Sequence, residues 1–297
     1  MNRRQCHGRL GLMGWTALSA LAFAGGPAAA QSTPQSAGPG TPPAGREPLS
    51  IVLAPFLSPG SLLNAYRPLR EHLEKHLQRP VQLLSAKDFR TLAEEARRGE
   101  HAVVQLPAHL ARLALLDWGC ELLAAPAAPV TVLVLVKDTG PVRSPADLRG
   151  RSVGTLDPLS LTATVGRRWL DTQGLGTQVQ LLSMASVNSA MYALDRDEVA
   201  AVVAADTQLA TLPAATPRGE RVLASIGDVP GPLLLAGPRL PRAERDALRA
   251  ALARYGPDAT RPVTAANSRQ GPLAEEKLRA LDAYAAIARQ ALGPVAR

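Results

Sequence analysis

Between residues 49 and 236 the chain alternates short apolar runs with longer amphipathic stretches, and this alternation constrains the fold more than any other feature. Leu49 to Leu53, Val81 to Leu84 and His101 to Leu106 each suit one strand. The stretches between them repeat apolar residues at one-turn spacing, as an inward helix face requires. Ser58 stands as an N-cap with Pro59 at the first helical position, and Leu62, Tyr66, Leu69, Leu73 and Leu77 mark the inner face. Pro68 is expected to kink or restart that helix. Asp88 caps a second helix with Phe89, Leu92, Ala93 and Ala96 inward, and Pro107 opens a third with Leu110, Leu113 and Ala114 inward. Strands separated by helices pair in parallel and are covered on both faces, so this is an α/β chain.

Two further strands are expected at Leu122 to Ala125 and Val130 to Lys137, and Ser144-Pro145 opens a short helix. Strand and helix then alternate through Val179 to Ser183, Ser186 to Arg196, Val199 to Ala204 and a helix from Asp206. After the strand Pro232 to Ala236, helices at Pro241 to Tyr255 and Leu273 to Leu292 have no strand between them, so they must pack on a sheet already formed. The economical arrangement inserts the middle segment into a first lobe that the chain re-enters. Residues 49–139 and 226–297 then form the first lobe and 140–225 the second. Two crossings make a hinge, with a cleft between the lobes.

Arg151 to Leu170 is the stretch with chemistry in it. Val153, Thr155 and Leu156 read as a short strand, Asp157-Pro158 as a turn, and Leu161, Val165 and Trp169 as the face of a helix. Ser160 and Thr162 fall in or beside the first turn of that helix, where unpaired N–H groups and a partial positive charge suit an anion. Hydroxyls at a helix start also serve simply as caps, so the anion reading needs support from elsewhere.

Composition limits the alternatives. Arg3, Arg4 and Arg9 precede an apolar run and then Ala28, Ala29 and Ala30, which reads as an export signal cleaved after Ala30, with residues 31–48 a Pro-, Gly- and Ser-rich disordered spacer. The formal charge of +8 falls to +5 without those three arginines. Cys120 is then the one thiol left, so no internal disulfide forms. The remaining arginines are dispersed among acids without interleaved aromatics, which argues against nucleic acid. His72 and His76 have metal-compatible spacing but alternate with charged residues, which favours a solvated helix face. His109 lies near a strand end, where it suits a ligand wall or a helix surface equally. No nucleophile elbow, phosphate loop or paired-cysteine motif occurs, so neither an enzyme nor a cofactor is expected.

Three stretches together resemble the periplasmic substrate-binding proteins of phosphate, phosphite and phosphonate ABC transporters, the phosphonate-binding family of the type II periplasmic-binding-protein fold. They are Ala54 to Leu84, Ser144 to Ser160 and Ser186 to Ala205, within a resemblance that runs over most of residues 49–260. It implies two parallel-sheet lobes joined by a two-strand hinge, a periplasmic location, a monomer, a small oxyanion in the cleft and a membrane permease as partner. It also implies ligand contacts from Ser160, Thr162, Phe89, Gln105, Ser186 and Asn188.

The chain departs from the family pattern inside the anion loop. Where the family reads Asp-Pro-x-Ser-Thr-Ser-Gly, Asp157, Pro158 and Ser160 match and Thr162 keeps a hydroxyl, but Leu161 and Ala163 do not match. Val187 falls where the family commonly has His, and Phe89 lacks the hydroxyl of a tyrosine. A charge-assisted hydrogen bond is worth about 1.5–3 kcal/mol, so losing two weakens an otherwise unchanged site by roughly two to four powers of ten. Either Asn188, Ser186 and Gln105 compensate or the ligand is different and less charged. A second reading stays open, in which the chain has left transport and acts as a periplasmic sensor or interaction module.

Overall fold

The computed structural model describes residues 47–293. The expected export signal, and the spacer up to residue 46, lie outside them. No helix among the described residues is long and apolar enough to cross a membrane.

Two sheets organise the chain. The first six-stranded sheet contains β1 (Leu49–Leu53), β2 (Val81–Ser85), β3 (Val103–Leu106), β4 (Glu121–Pro126), β10 (Leu233–Ala236) and β11 (Gln270–Gly271), in the order β11-β4-β10-β3-β1-β2. The second contains β5 (Pro129–Lys137), β6 (Ser152–Thr155), β7 (Gln180–Ser183), β8 (Ala201–Ala205) and β9 (Glu220–Pro230), in the order β7-β6-β8-β5-β9. β1 pairs in parallel with β2 and β3, and β6 with β7 and β8. The strands flanking the crossings, β4, β5, β9 and β10, pair antiparallel.

Alternation along each strand sends neighbours to opposite faces. Val52, Val104, Leu106 and Leu235 join the core under α2 (Phe89–Arg98), α3 (Ala108–Asp117) and α9 (Asp282–Leu292). Ile51, Leu53, Val103 and Leu234 meet α1 (Pro59–Leu77) and α7 (Arg242–Ala253) on the other side. The second sheet repeats the plan, with Val132, Val153 and Val203 facing α4 (Leu161–Thr172) and Leu135, Val202 and Ala204 facing α5 (Val187–Asp195). Asp88 caps α2 as expected, accepting the Thr91 N–H at 2.7 Å, and these hydrogen bonds hold its carboxyl below the usual range.

Several local expectations change. α1 runs through Pro68 without a restart, and Ser58 bonds to the Ser61 hydroxyl rather than to a helix N–H. The Ser144-Pro145 device makes only a 3-10 turn over Pro145–Leu148. The last helix is broken into α8 (Glu275–Arg279) and α9, because a tight turn lets both Leu278 and Leu281 enter the core. Asp282 then meets the largely enclosed Arg112 at 2.6 Å.

The chain passes from one sheet to the other at Ala127-Ala128 and returns at Gly231-Pro232. The expected lobe limits at 139/140 and 225/226 fall just beyond β5 and within β9, whereas both strands pair within the second sheet over residues 129–137 and 220–230. The crossing segments lie close together, since a Cβ on Gly231 would stand 2.6 Å from the Pro126 ring.

Gly237 ends β10 where its N–H bonds to Ala102, and a Cβ there would lie 2.2 Å from the His101 carbonyl oxygen. The obstacle is backbone beside a central strand. Gly237→Ala is therefore expected to cost about 2 kcal/mol, read as a lower urea midpoint at an unchanged m-value. Gly219→Ala, with nothing within 4 Å, is the control and should leave the midpoint in place.

Candidate functional site

The cavity that both sheets help to line has a volume of about 90 Å³. Phe56, Tyr66, Phe89 and Ala108 approach from the first sheet and its helices. Val130, Val132, Ser160, Thr162, Ala205 and Gln208 approach from the second.

Ser160 is the N-cap of α4, in extended backbone conformation, and its Oγ accepts the Ala163 N–H at 3.2 Å. Its own N–H donates to the Asp157 carbonyl at 2.8 Å, while Asp157 Oδ1 accepts the Leu159 N–H at 2.8 Å. These bonds fold Asp157 to Ser160 into a tight turn that aims the helix start at the cavity. Thr162 Oγ1 lies 3.2 Å from Ser160 Oγ, so the two hydroxyls form a pair on the wall. A helix cannot use its own first N–H groups, and here these lie beside that pair.

The turn is held from outside by apolar contact. Leu159 is buried among residues of α2, α3 and α9, and Leu161 packs toward both sheets' cores. Tyr284 of α9 likewise touches both cores, with the Arg168 guanidinium 5.3 Å above its ring. Leu161, a departure from the family loop, thus trades a hydroxyl for packing.

Of the six residues, Ser160, Thr162 and Phe89 line the cavity, and Gln105, Ser186 and Asn188 do not. Gln105 is buried beneath, where its Nε2 donates to the Tyr66 hydroxyl, and Tyr66 lines the cavity in its place. Burial raises the Tyr66 pKa far above the usual phenol value, so it is a neutral group. Ser186 caps α5, accepting the Ser189 N–H at 3.1 Å. Asn188 Oδ1 accepts the Thr216 hydroxyl at 2.7 Å, and Val187 is part of the core. The polar groups after β7 are consumed by the start of α5, where Ser186 and Ser189 bond to one another's backbone.

Residues outside those six also line the cavity. Phe56 and Leu57 follow β1, and Thr207, Gln208 and Thr211 belong to α6 (Asp206–Leu209) and the turn after it. Both segments follow the C-terminal ends of parallel strands, the place where α/β sheets bind ligands.

Other candidates are accounted for. His109 is fully enclosed and neither ring nitrogen makes a well-formed hydrogen bond; burial pushes its pKa down to about 4, and the neighbouring Leu159 backbone offsets only part of this. Burial pushes the Cys120 thiol up to about 11, which leaves it unreactive as a nucleophile. His72 Nε2 is committed to the Ala251 carbonyl at 2.8 Å and His76 Nδ1 to the His72 carbonyl at 2.9 Å.

Comparison with known proteins agrees with this architecture. The family model for the ABC transporter, phosphonate, periplasmic substrate-binding protein matches residues 51–278. No curated protein matches the sequence. A binding protein component of an ABC phosphonate transporter from Pseudomonas aeruginosa superimposes with a TM-score of 0.68 at 16% identity, over 84% of this chain and 90% of that one. PhnD1 from Prochlorococcus marinus, in complex with methylphosphonate, gives 0.68 at 10% identity, over 79% and 96%. The periplasmic aliphatic sulphonate binding protein SsuA from Escherichia coli gives 0.55 at 18% identity, over 82% and 87%. The fold is thus the mixed α/β type II periplasmic-binding-protein fold, and the chain belongs to the periplasmic substrate-binding protein family of phosphonate ABC transporters.

Proposed function

We propose that this chain is an exported receptor that takes a small oxyanion, a phosphonate, phosphite or phosphate, between two α/β lobes and presents it to an inner-membrane permease. One lobe is the part built on the first sheet. The other is residues 129–230, and the crossings at 127–128 and 231–232 are the hinge. The observation that carries this reading is the pairing of the Ser160 and Thr162 hydroxyls with the N-terminus of α4 on a cavity wall to which both sheets contribute. Neutral donors fixed before the ligand arrives need no reorganisation, so they hold an anion without a basic side chain. Phe89 and Tyr66 close the opposite side.

The test is calorimetric titration of the purified protein with phosphate, phosphite and methylphosphonate, repeated on Ser160→Ala. The substitution removes one hydrogen bond to a charged group, so the affinity for the best anion should fall about tenfold to a hundredfold. It also removes the α4 cap, which should cost about 1 kcal/mol of folding stability. An unchanged dissociation constant would remove Ser160 from the site, and no heat with any of the anions would remove the oxyanion reading.

A further inference from the structure

Resting on the oxyanion reading of the same site, we infer that the ligand carries a short, uncharged, apolar substituent, so that an alkyl oxyanion is taken in preference to its aminoalkyl counterpart. The chemistry of the wall carries this. None of the residues that line the cavity is Asp, Glu, Lys, Arg or His. Away from Ser160 and Thr162 the wall is dominated by Phe56, Leu57, Val130, Val132, Leu156 and Val229.

The neutral polar groups on the wall are partly spoken for. Gln208 Oε1 accepts the Ala205 N–H at 3.1 Å, and the Thr211 hydroxyl donates to the Gln208 carbonyl at 2.8 Å. The acids nearest in sequence to the wall are engaged by protein donors as well. Asp206 Oδ1 accepts N–H groups from Thr131 at 3.1 Å and Thr207 at 2.6 Å, Asp228 Oδ1 accepts the Thr131 hydroxyl at 2.6 Å, Asp88 Oδ1 accepts the Thr91 N–H at 2.7 Å and Asp157 Oδ1 the Leu159 N–H at 2.8 Å. An ammonium on the ligand would leave water and find no carboxylate on the wall. Burying such a charge unpaired is strongly unfavourable.

Size sets the length of the tail. The cavity of about 90 Å³ is small beside the roughly 300–1,000 Å³ of ordinary ligand pockets, so any tail beyond the head group is short.

Two isosteric pairs test the inference, because each exchanges a terminal methyl for an ammonium at equal length. They are propylphosphonate against 2-aminoethylphosphonate, and propane-1-sulfonate against 2-aminoethanesulfonate. Titration of the purified protein should show the propyl member binding at least tenfold more tightly than its amino partner in one head-group series, and the series that responds identifies the head. Methyl-headed analogues of the same series should bind more weakly, by about fourfold for each methylene lost. Leu57→Glu, at a half-buried position on the wall, should bring the amino partner to parity by supplying the missing carboxylate.

An amino-bearing member that binds the wild type as tightly as its propyl partner would overturn the inference while leaving the oxyanion site intact. So would binding of inorganic phosphate or phosphite with every tailed anion excluded. Silence from all of these anions would overturn both readings. A propyl preference that Leu57→Glu leaves unaltered would overturn the placement of the tail against this wall.

Discussion

Thr162→Asp is expected to abolish anion binding while leaving the protein folded. Thr162 is the second residue of α4 and lines the cavity beside Ser160. A carboxylate at this largely enclosed position suits the positive end of the helix dipole, worth about 0.3–1 kcal/mol, which offsets part of the cost of burying its charge. The same carboxylate occupies the field meant for the ligand. Two like charges about 4 Å apart repel by roughly 4 kcal/mol at an effective dielectric of 20, or about a thousandfold in dissociation constant. Thr162→Asn, close in shape and uncharged, should lose no more than about tenfold, the value of one neutral hydrogen bond. Calorimetry for affinity and a melting curve for stability separate the two effects. Full affinity in the Asp variant, with a normal melt, would mean that the anion binds elsewhere.

The strands and helices could be read from sequence wherever periodicity is local. The parallel pairs β1–β2 and β1–β3 follow from strands joined by amphipathic helices, and α1, α2 and α3 bury the residues their spacing marks, apart from the half-buried Leu77 at the end of α1. The sheet to which β5 belongs could not be read that way. Its partner β9 lies about ninety positions further along the chain, and nothing near Val130 to Lys137 distinguishes pairing with β9 from pairing with β4. β9 itself has a half-exposed, irregular burial pattern on a sheet edge, so its length is set by β5 rather than by its own sequence.

The residues of the cavity wall could be read where they belong to a helix start. Ser160 and Thr162 declare themselves through the turn before α4, and Phe89 through the cap at Asp88. Gln105 shows what a strand can hide. It shares the face of Val103 and not that of Val104 and Leu106, so it turns toward α1 and meets Tyr66 beneath the cavity. Parity along β3 would have indicated as much. The sequence does not say whether Ser186 and Asn188 line the cavity, because a cap that satisfies its own helix and a cap that faces a ligand have the same sequence signature.

His109 is expected to make the fold sensitive to acid, and to do so next to the turn that precedes α4. Its ring is completely enclosed at the start of α3 and neighbours the backbone of Leu159, the residue before Ser160. Desolvation depresses its folded pKa from 6.5 to about 4, so the folded state holds the ring neutral while the unfolded chain takes up a proton below pH 6.5. The sign follows directly. The stability associated with the neutral ring is complete above pH 6.5 and falls as the pH drops toward 4, where the folded protein must accept the proton as well. A shift of this size corresponds to at most about 3 kcal/mol. Carboxylates titrate over part of the same range, so the informative quantity is the difference between wild type and His109→Leu, which have similar volume at this site. Urea unfolding at pH 7 and pH 4 should show the variant gaining about 2–3 kcal/mol relative to wild type on acidification. Parallel losses in the two proteins would show that the ring is free to take up its proton in the folded state, and the packing of Leu159 would then need another support.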